Sequence, residues 1–575
     1  MKKILIVILA LIILITGGYL YIRFSVLKPK EIKPDNSTSK SIVDLRPRLI
    51  AKLRQMVKDG SDGLYNLSIK KIEPHISSGG VDMMTISVVP DSIIVLKLRS
   101  SPTAPDVVFK ISIDSFHIDG LGIEELLHRN SLNLKTISFS GPVIEMYQLK
   151  KAANVKKKND TATLYQKLMK HVKRISINEI LVQHGIFINH NYGQKNQVIK
   201  LGDMEAKMDN VLIDSSTQFD QKRFLFAEEV QISVKDLKGR TPDSLYFIKC
   251  GSVKISTRKN SVSAQDISLE PRYNREEFES KFSTRKCMFG LDIPLLTISG
   301  INWWEIVNGK SVIAKEATLE NGTCEAYLDR SLPFRKIKPN NFPHQILMRT
   351  PVPFSIAKMK MYHSKLVYTE FNPGTDQTGN VVVSDVNGTV VNMTNIPAKI
   401  RKNRFMVTTS TGSFMNRAPI DVGFHFDLSK YKTGNFTMDL KVGKLDSSIL
   451  NPITGPLAEF IFKRGTIQKG VVHVEGNNFK ARGKGILLYK DLYLVAVKKS
   501  PDERGKVKQK KLLSFFGNVL LIKNANPSKG DAAREEVFDS ERNDHQPFFS
   551  LVWKTIYIGV LKSIGLPKKF GDKKY

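Results

Sequence analysis

The chain has 575 residues, too many for one small domain, and its 41% hydrophobic and 25% charged residues are the balance of a chain that folds. That excludes a disordered tail and a polytopic membrane protein. Eighty-eight Lys and Arg against 55 Asp and Glu leave a net charge of +33, which points to nucleic acid, to a membrane surface, or to nothing specific.

The first element is apolar. Residues 4–22 (ILIVILALIILITGGYLYI) carry no charge over nineteen positions. At 1.5 Å per residue they make a helix of ~28 Å, close to the ~30 Å hydrocarbon core of a bilayer. Tyr19 and Tyr21 stand where an interfacial aromatic belt falls. A cleaved signal peptide has a shorter apolar region, ~7–15 residues, and a small-residue exit, which this run lacks. The segment therefore reads as a single membrane anchor. Lys2 and Lys3 precede it, but Arg23, Lys28, Lys30 and Lys33 follow, so a count of basic residues does not orient it. The Met-Lys-Lys start, as in an export signal, places the N-terminus inside and the remaining body as a water-facing part on the far side.

Residues 28–48 form a polar linker. Leu49, Ile50, Leu53, Met56 and Val57 then recur on one helical face, with Gly60 as a stop. A second such stripe covers 161–173 (Leu164, Tyr165, Leu168, Met169, Val172). Both are expected to pack against a sheet. A membrane-surface helix is the alternative for the first, which Arg46, Arg48, Lys52, Arg54 and Lys58 flank.

Elsewhere the period is two. Val230, Ile232 and Val234 alternate with polar residues, as do Ile420, Val422, Phe424, Phe426 and Leu428, and Phe436, Met438, Leu440 and Val442. Such alternation marks half-buried strands, and one solvated face suits antiparallel meanders. The strands also repeat. Residues 118–147 align with 298–327 without a gap: Ile118, Gly120, Glu125, Ser131, Lys135, Glu145 and Tyr147 match Ile298, Gly300, Glu305, Ser311, Lys315, Glu325 and Tyr327. Colinear matches at nearly the same offset extend over some 130 residues. The predicted organisation is an anchor (1–27), a linker with a short helix (28–63), two β-rich repeats (64–246 and 247–427), a third β segment (428–530), and a loop with an apolar helix and a basic tail (531–575).

A transmembrane start, the repeated I-x-G-[LI]-x-x-x-E-[LI]-[LV] pattern, strands ending EMY and EAY-LDRSLP, HSKLVYTE (363–370), VNMTNIP (391–397), GILLYKDLYLVAV (485–497) and LLIKNANP (520–527) together resemble the AsmA-like family of membrane-anchored periplasmic proteins, in its Bacteroidetes-type form. The likeness spans nearly the whole chain, through loose structural motifs without a catalytic residue. It implies a mainly β fold: an elongated, curled antiparallel sheet with an apolar concave face, related to TamB-like β-groove proteins that carry phospholipid between membranes. The residues allow the same reading, since few helices remain to cover a sheet of this size. They equally allow a sheet that closes on itself around an ordinary core. Val422, Phe424, Phe426, Met438 and Leu440 alternate most cleanly and are the candidate lipid-lining residues. The rival function is a structural scaffold for an envelope protein assembly.

No nucleophile elbow, zinc motif, P-loop or dinucleotide fingerprint occurs, and the expectation is a protein that is not an enzyme and has no cofactor. Cys250, Cys287 and Cys324 form neither a disulfide framework nor a ligand spacing. His184, His190 and His363 read as strand-surface histidines, Asp539, Glu541, Asp544 and His545 as a solvated loop, and Trp303 and Trp304 as core residues of the second repeat. The basic runs 150–158, 504–511 and 568–574 lack the interleaved aromatics of a nucleic-acid module and read as solvated loops or headgroup contacts. Near the C-terminus, Pro547 is expected to open an almost all-round apolar helix that Pro567 stops. Such a helix either plugs the sheet or lies in a membrane interface, with Trp553, Lys568 and Lys569 as the contacts.

Overall fold

The computed structural model describes residues 46–75, 79–99, 107–121, 131–148, 173–190, 198–217, 220–336, 340–496, 522–543 and 546–566. Residues 4–22, the stripe at 161–172, the three basic runs, Asp544, His545, Lys568 and Lys569 lie outside them. Among the described residues no helix is long and apolar enough to cross a membrane. Among the described residues the fold is mainly β, 59% strand and 17% helix, with 22 strands in mixed antiparallel and parallel pairing. The chain divides into two compact units, Met1–Pro242 with Cys250–Val262, and Asp243–Lys249 with Ser263–Tyr575.

In the first unit, α1 (Arg46–Gly60) precedes β1 (Tyr65–His75) and β2 (Gly80–Pro90). Then come α2 (Ser92–Arg99), β3 (Val107–Asp119), β4 (Ser131–Ser140), β5 (Val143–Gln148), β6 (Arg174–His190), β7 (Val198–Ile213) and β8 (Glu229–Arg240). α1 is the predicted amphipathic helix, and its Leu53 and Val57 are buried against the sheet. β4 and β5 hold one register against β3 across Gly141 and Pro142, so they are one strand with a break.

The succession recurs. β9 (Tyr246–Ser256) and β10 (Ser261–Pro271) are followed by α3 (Arg275–Glu279), β11 (Met288–Ser299), α4 (Trp303–Val307), β12 (Val312–Glu320) and β13 (Thr323–Asp329). α5 (Pro343–Met348) leads to β14 (Phe354–Asn372), β15 (Gln377–Thr394), α6 (Pro397–Lys402) and β16 (Phe405–Phe414). β12 and β13 again share one register against β11. Details repeat as well. The Tyr65 hydroxyl accepts the Phe109 N–H at 3.2 Å, and the Tyr246 hydroxyl the Phe289 N–H at 3.3 Å. Gly120 (φ +71°) and Gly300 (φ +66°) lie against Lys135 and Lys315, and a methyl on Gly300 would stand 2.6 Å from Lys315 Cβ. Gly300→Ala and Gly120→Ala should each cost about 1–3 kcal/mol, from left-handed backbone and close approach together. A thermal melt of either variant matching the parent would remove that account.

The expectation of a purely antiparallel sheet is corrected. β6 runs parallel to β4 and β5, and β14 runs parallel to β12 and β13. Parallel neighbours need a crossover of a dozen or more residues, and the connections from β5 to β6 and from β13 to β14 are long enough for one.

The chain then meanders antiparallel through β17 (Ala418–Asp427), β18 (Phe436–Val442), the two-residue β19 (Leu445–Asp446), β20 (Phe460–Gly476), β21 (Lys480–Ala496) and β22 (Glu535–Glu541). α7 (Asn451–Ala458) lies between β19 and β20, and α8 (Phe548–Ile564) closes the described chain. Pro547 is the N-cap of α8 rather than its first residue, and the helix ends at Gly565 in the left-handed conformation, before Pro567.

Candidate functional site

The predicted lining residues do share one face. Val422 stands opposite Leu440, Phe424 opposite Met438, and Phe426 opposite Phe436. The structure closes that face. Phe426 and Met438 are buried, Val422, Phe424 and Leu440 are half-buried, and all five pack in a cluster with Phe548, Leu551 and Val552 of α8. α8 therefore covers this part of the sheet. It is not apolar all round in its surroundings, because Phe549 and Trp553 face solvent.

An open apolar face lies elsewhere, and the repeat reveals it. In the first unit Ile111, Phe116, Ile118, Leu132 and Phe139 are buried in one core with α1. The matching positions of the second unit, Leu291, Leu296, Ile298, Val312 and Leu319, are each only half-buried. The side chains stay apolar, with Leu296 and Leu319 in place of Phe116 and Phe139, and the neighbouring Ile293, Ile301, Ala314 and Ala317 remain buried, so the opening is local and follows a difference in cover. α1 precedes β1, but only residues 241–245 separate β8 from β9, too few for an equivalent helix. These five residues were missed in the sequence, where the only signal was the length of that connection. Trp303 and Trp304, expected in the core of the second repeat, are half-buried on α4.

The histidines build a second repeated feature. At a bulge between β6 and β7, His184 (φ 53°) and Asp203 (φ 46°) meet at 3.3 Å. At the matching bulge between β14 and β15, His363 (φ 48°) and Asp385 (φ 47°) meet at 2.8 Å. Each imidazole holds its partner carboxyl below the usual range. Glu205 accepts the His184 N–H and Asn387 accepts the His363 N–H, so a carboxylate and an amide do the same structural work. His184, Asp203 and Glu205 could offer three ligand atoms to a metal ion. However, Lys235 Nζ stands 3.5 Å from Asp203, and the second copy has an amide as the third group. The pairs read as devices that pin the bulges. His190 lies at 3.0 Å from Glu145 and stacks on Tyr147. Lys110, Tyr147 and His190 together hold Glu145 down to about 2. Asp539 and Glu541 are exposed on β22, where Asp539 faces Arg482 across the pair. Cys250, Cys287 and Cys324 are free thiols, and burial pushes Cys287 up to about 12, far from a reactive thiolate.

The class defined by this geometry is a mainly-β protein of repeated strand units with one face closed and its counterpart half-open. No protein-family model, curated protein or solved structure matches the chain.

Proposed function

We propose that this is a non-enzymatic, AsmA-like lipid-handling protein, anchored in the inner membrane by residues 4–22, with its body in the periplasm. Phospholipid acyl chains lie along the half-open apolar face of β11 and β12, and headgroups remain in water at its margin. The observation that carries the reading is the contrast between Leu291, Leu296, Ile298, Val312 and Leu319 and their buried counterparts. Half-open side chains of this size forgo part of the roughly 1.5–3 kcal/mol that full burial of each would give, and an apolar ligand restores it. The scaffold reading expects a closed, dry core, which describes the first unit but not this face.

Native mass spectrometry of the full chain should find co-purifying phospholipid. Leu296→Asp with Ile298→Asp should abolish it, because each carboxylate would stand where an acyl chain packs. A parent protein without lipid, and without uptake of a labelled phospholipid, would end the proposal.

A further inference from the structure

We propose that one end of the C-terminal strands is a docking surface for an anionic phospholipid bilayer, separate from residues 4–22. The proposal rests on the lipid reading above only for choosing a bilayer among anionic partners.

Hydrogen bonds assemble this end from four distant segments. The Asn478 N–H donates to the Thr433 carbonyl at 3.0 Å, and Asn478 Nδ2 to the Lys432 carbonyl at 2.8 Å. The β20–β21 turn is thereby locked beside the loop that joins β17 to β18. The Arg542 N–H donates to the Phe479 carbonyl at 2.7 Å, and Arg542 Nε to the Gln546 carbonyl at 2.8 Å. This ties both turns to the segment entering α8. The Leu428 N–H donates to the Arg404 carbonyl at 2.8 Å, which adds the turn after α6. Phe548 at the start of α8 packs on Phe426 and Phe436, the pair that flanks the β17–β18 loop.

The chemistry displayed there is aromatic and basic. Phe479 (70% exposed) and Phe549 (66%) are the two most exposed large apolar side chains among the described residues. Trp553 follows one turn along α8, 47% exposed. Around them Lys430, Lys432, Arg401 and Lys402 are exposed. Two further cations are offset: Arg404 lies beside the buried Asp427, and Lys480 stands opposite Glu541 in register. A phenylalanine at the tip of a tight turn has no neighbours to recover its hydration cost, and a ring of long basic side chains does not shape a protein pocket. A fluid layer of anionic headgroups accepts both, with the rings entering the acyl boundary and the ammonium groups at the phosphates.

The test places the full chain in phosphatidylcholine nanodiscs, which occupy residues 4–22, and measures flotation with added vesicles. Flotation is expected with vesicles containing phosphatidylglycerol, and not with phosphatidylcholine alone or at high salt. Lys430→Gln and Lys432→Gln should each weaken binding about fivefold, and Phe479→Ser about tenfold or more. Lys70→Gln with Lys71→Gln, on β1, should leave binding unchanged. No flotation, flotation indifferent to phosphatidylglycerol, or an equal loss from the β1 pair overturns the proposal. Lipid-free protein in native mass spectrometry would end the acyl-chain reading alone, so the two failures are distinguishable.

Discussion

Phe548→Ala is expected to cost the second unit about 3–5 kcal/mol, the range for removing a fully buried aromatic ring. Phe548 is buried, with ring centroids 4.9 Å from Phe342, 4.9 Å from Phe436, 5.6 Å from Phe426 and 5.7 Å from Phe424. It joins α5, α8 and the inner face of β17 and β18, so truncation leaves a cavity that no single neighbour can fill. The rest of α8 is held by Leu551 and Leu561, and by the Tyr489 hydroxyl, which donates to the Ser563 carbonyl at 2.8 Å. Urea unfolding should therefore show an earlier transition for the second unit, with α8 becoming the first site of proteolysis. The first unit should unfold as before, so the two transitions must be followed separately. An unchanged second transition would mean that α8 does not pack on the sheet.

Acidification from about pH 6.5 to pH 4 is expected to remove about 3 kcal/mol from the second unit through His344 alone. His344 on α5 is fully buried and stacked at 5.0 Å on Phe426, and neither ring nitrogen has a hydrogen-bond partner. Burial drives its pKa from 6.5 down to about 4, against the pull of Asp427. The folded protein keeps the ring neutral while the unfolded chain takes up a proton near pH 6.5. The contribution is complete above pH 6.5 and declines by about 1.4 kcal/mol per unit as pH falls toward 4. Glu279 runs the other way. Burial and Asp329 raise it to about 7, so its contribution is complete below its ordinary range and is lost as pH rises through 7. His344→Leu isolates the histidine. The variant should lose less stability between pH 7 and pH 5 than the parent, as read from urea midpoints, and equal losses would refute the account.

The alternation at 230–234, 420–428 and 436–442 predicts strands, and β8, β17 and β18 stand there. The stripe at Leu53 and Val57 likewise predicts α1, because periodicity reports which side chains share a face. It does not report strand direction. The parallel pairing of β6 and β14 depends on crossovers whose length is visible but whose path is not. Nor does it report cover. Ile118 and Ile298 are the same residue at the same register position, one buried and one half-open, and the difference lies in a helix that precedes only the first. Phe549 and Trp553 sit in an apolar stretch that reads as wholly buried, and only the packed neighbours of α8 decide which side faces water. His344 carries no sequence signal at all, since a lone histidine beside Pro343 gives no hint of an aromatic enclosure.

The parallel registers set a clock during synthesis. Ser131 pairs with Arg174, and Val312 with Phe354, so each long edge must wait for some forty further residues before its partner exists. At ~5–20 residues per second that is roughly 2–8 seconds. For that interval β4 and later β12 present unpaired amides beside apolar side chains. When β12 emerges, β6 has already been translated, and it carries mid-strand the same kind of bulge as the true partner β14. A chain whose first repeat has not yet closed could seat β12 on β6. Rapid closure of the first repeat beneath α1 thus protects the register of the second.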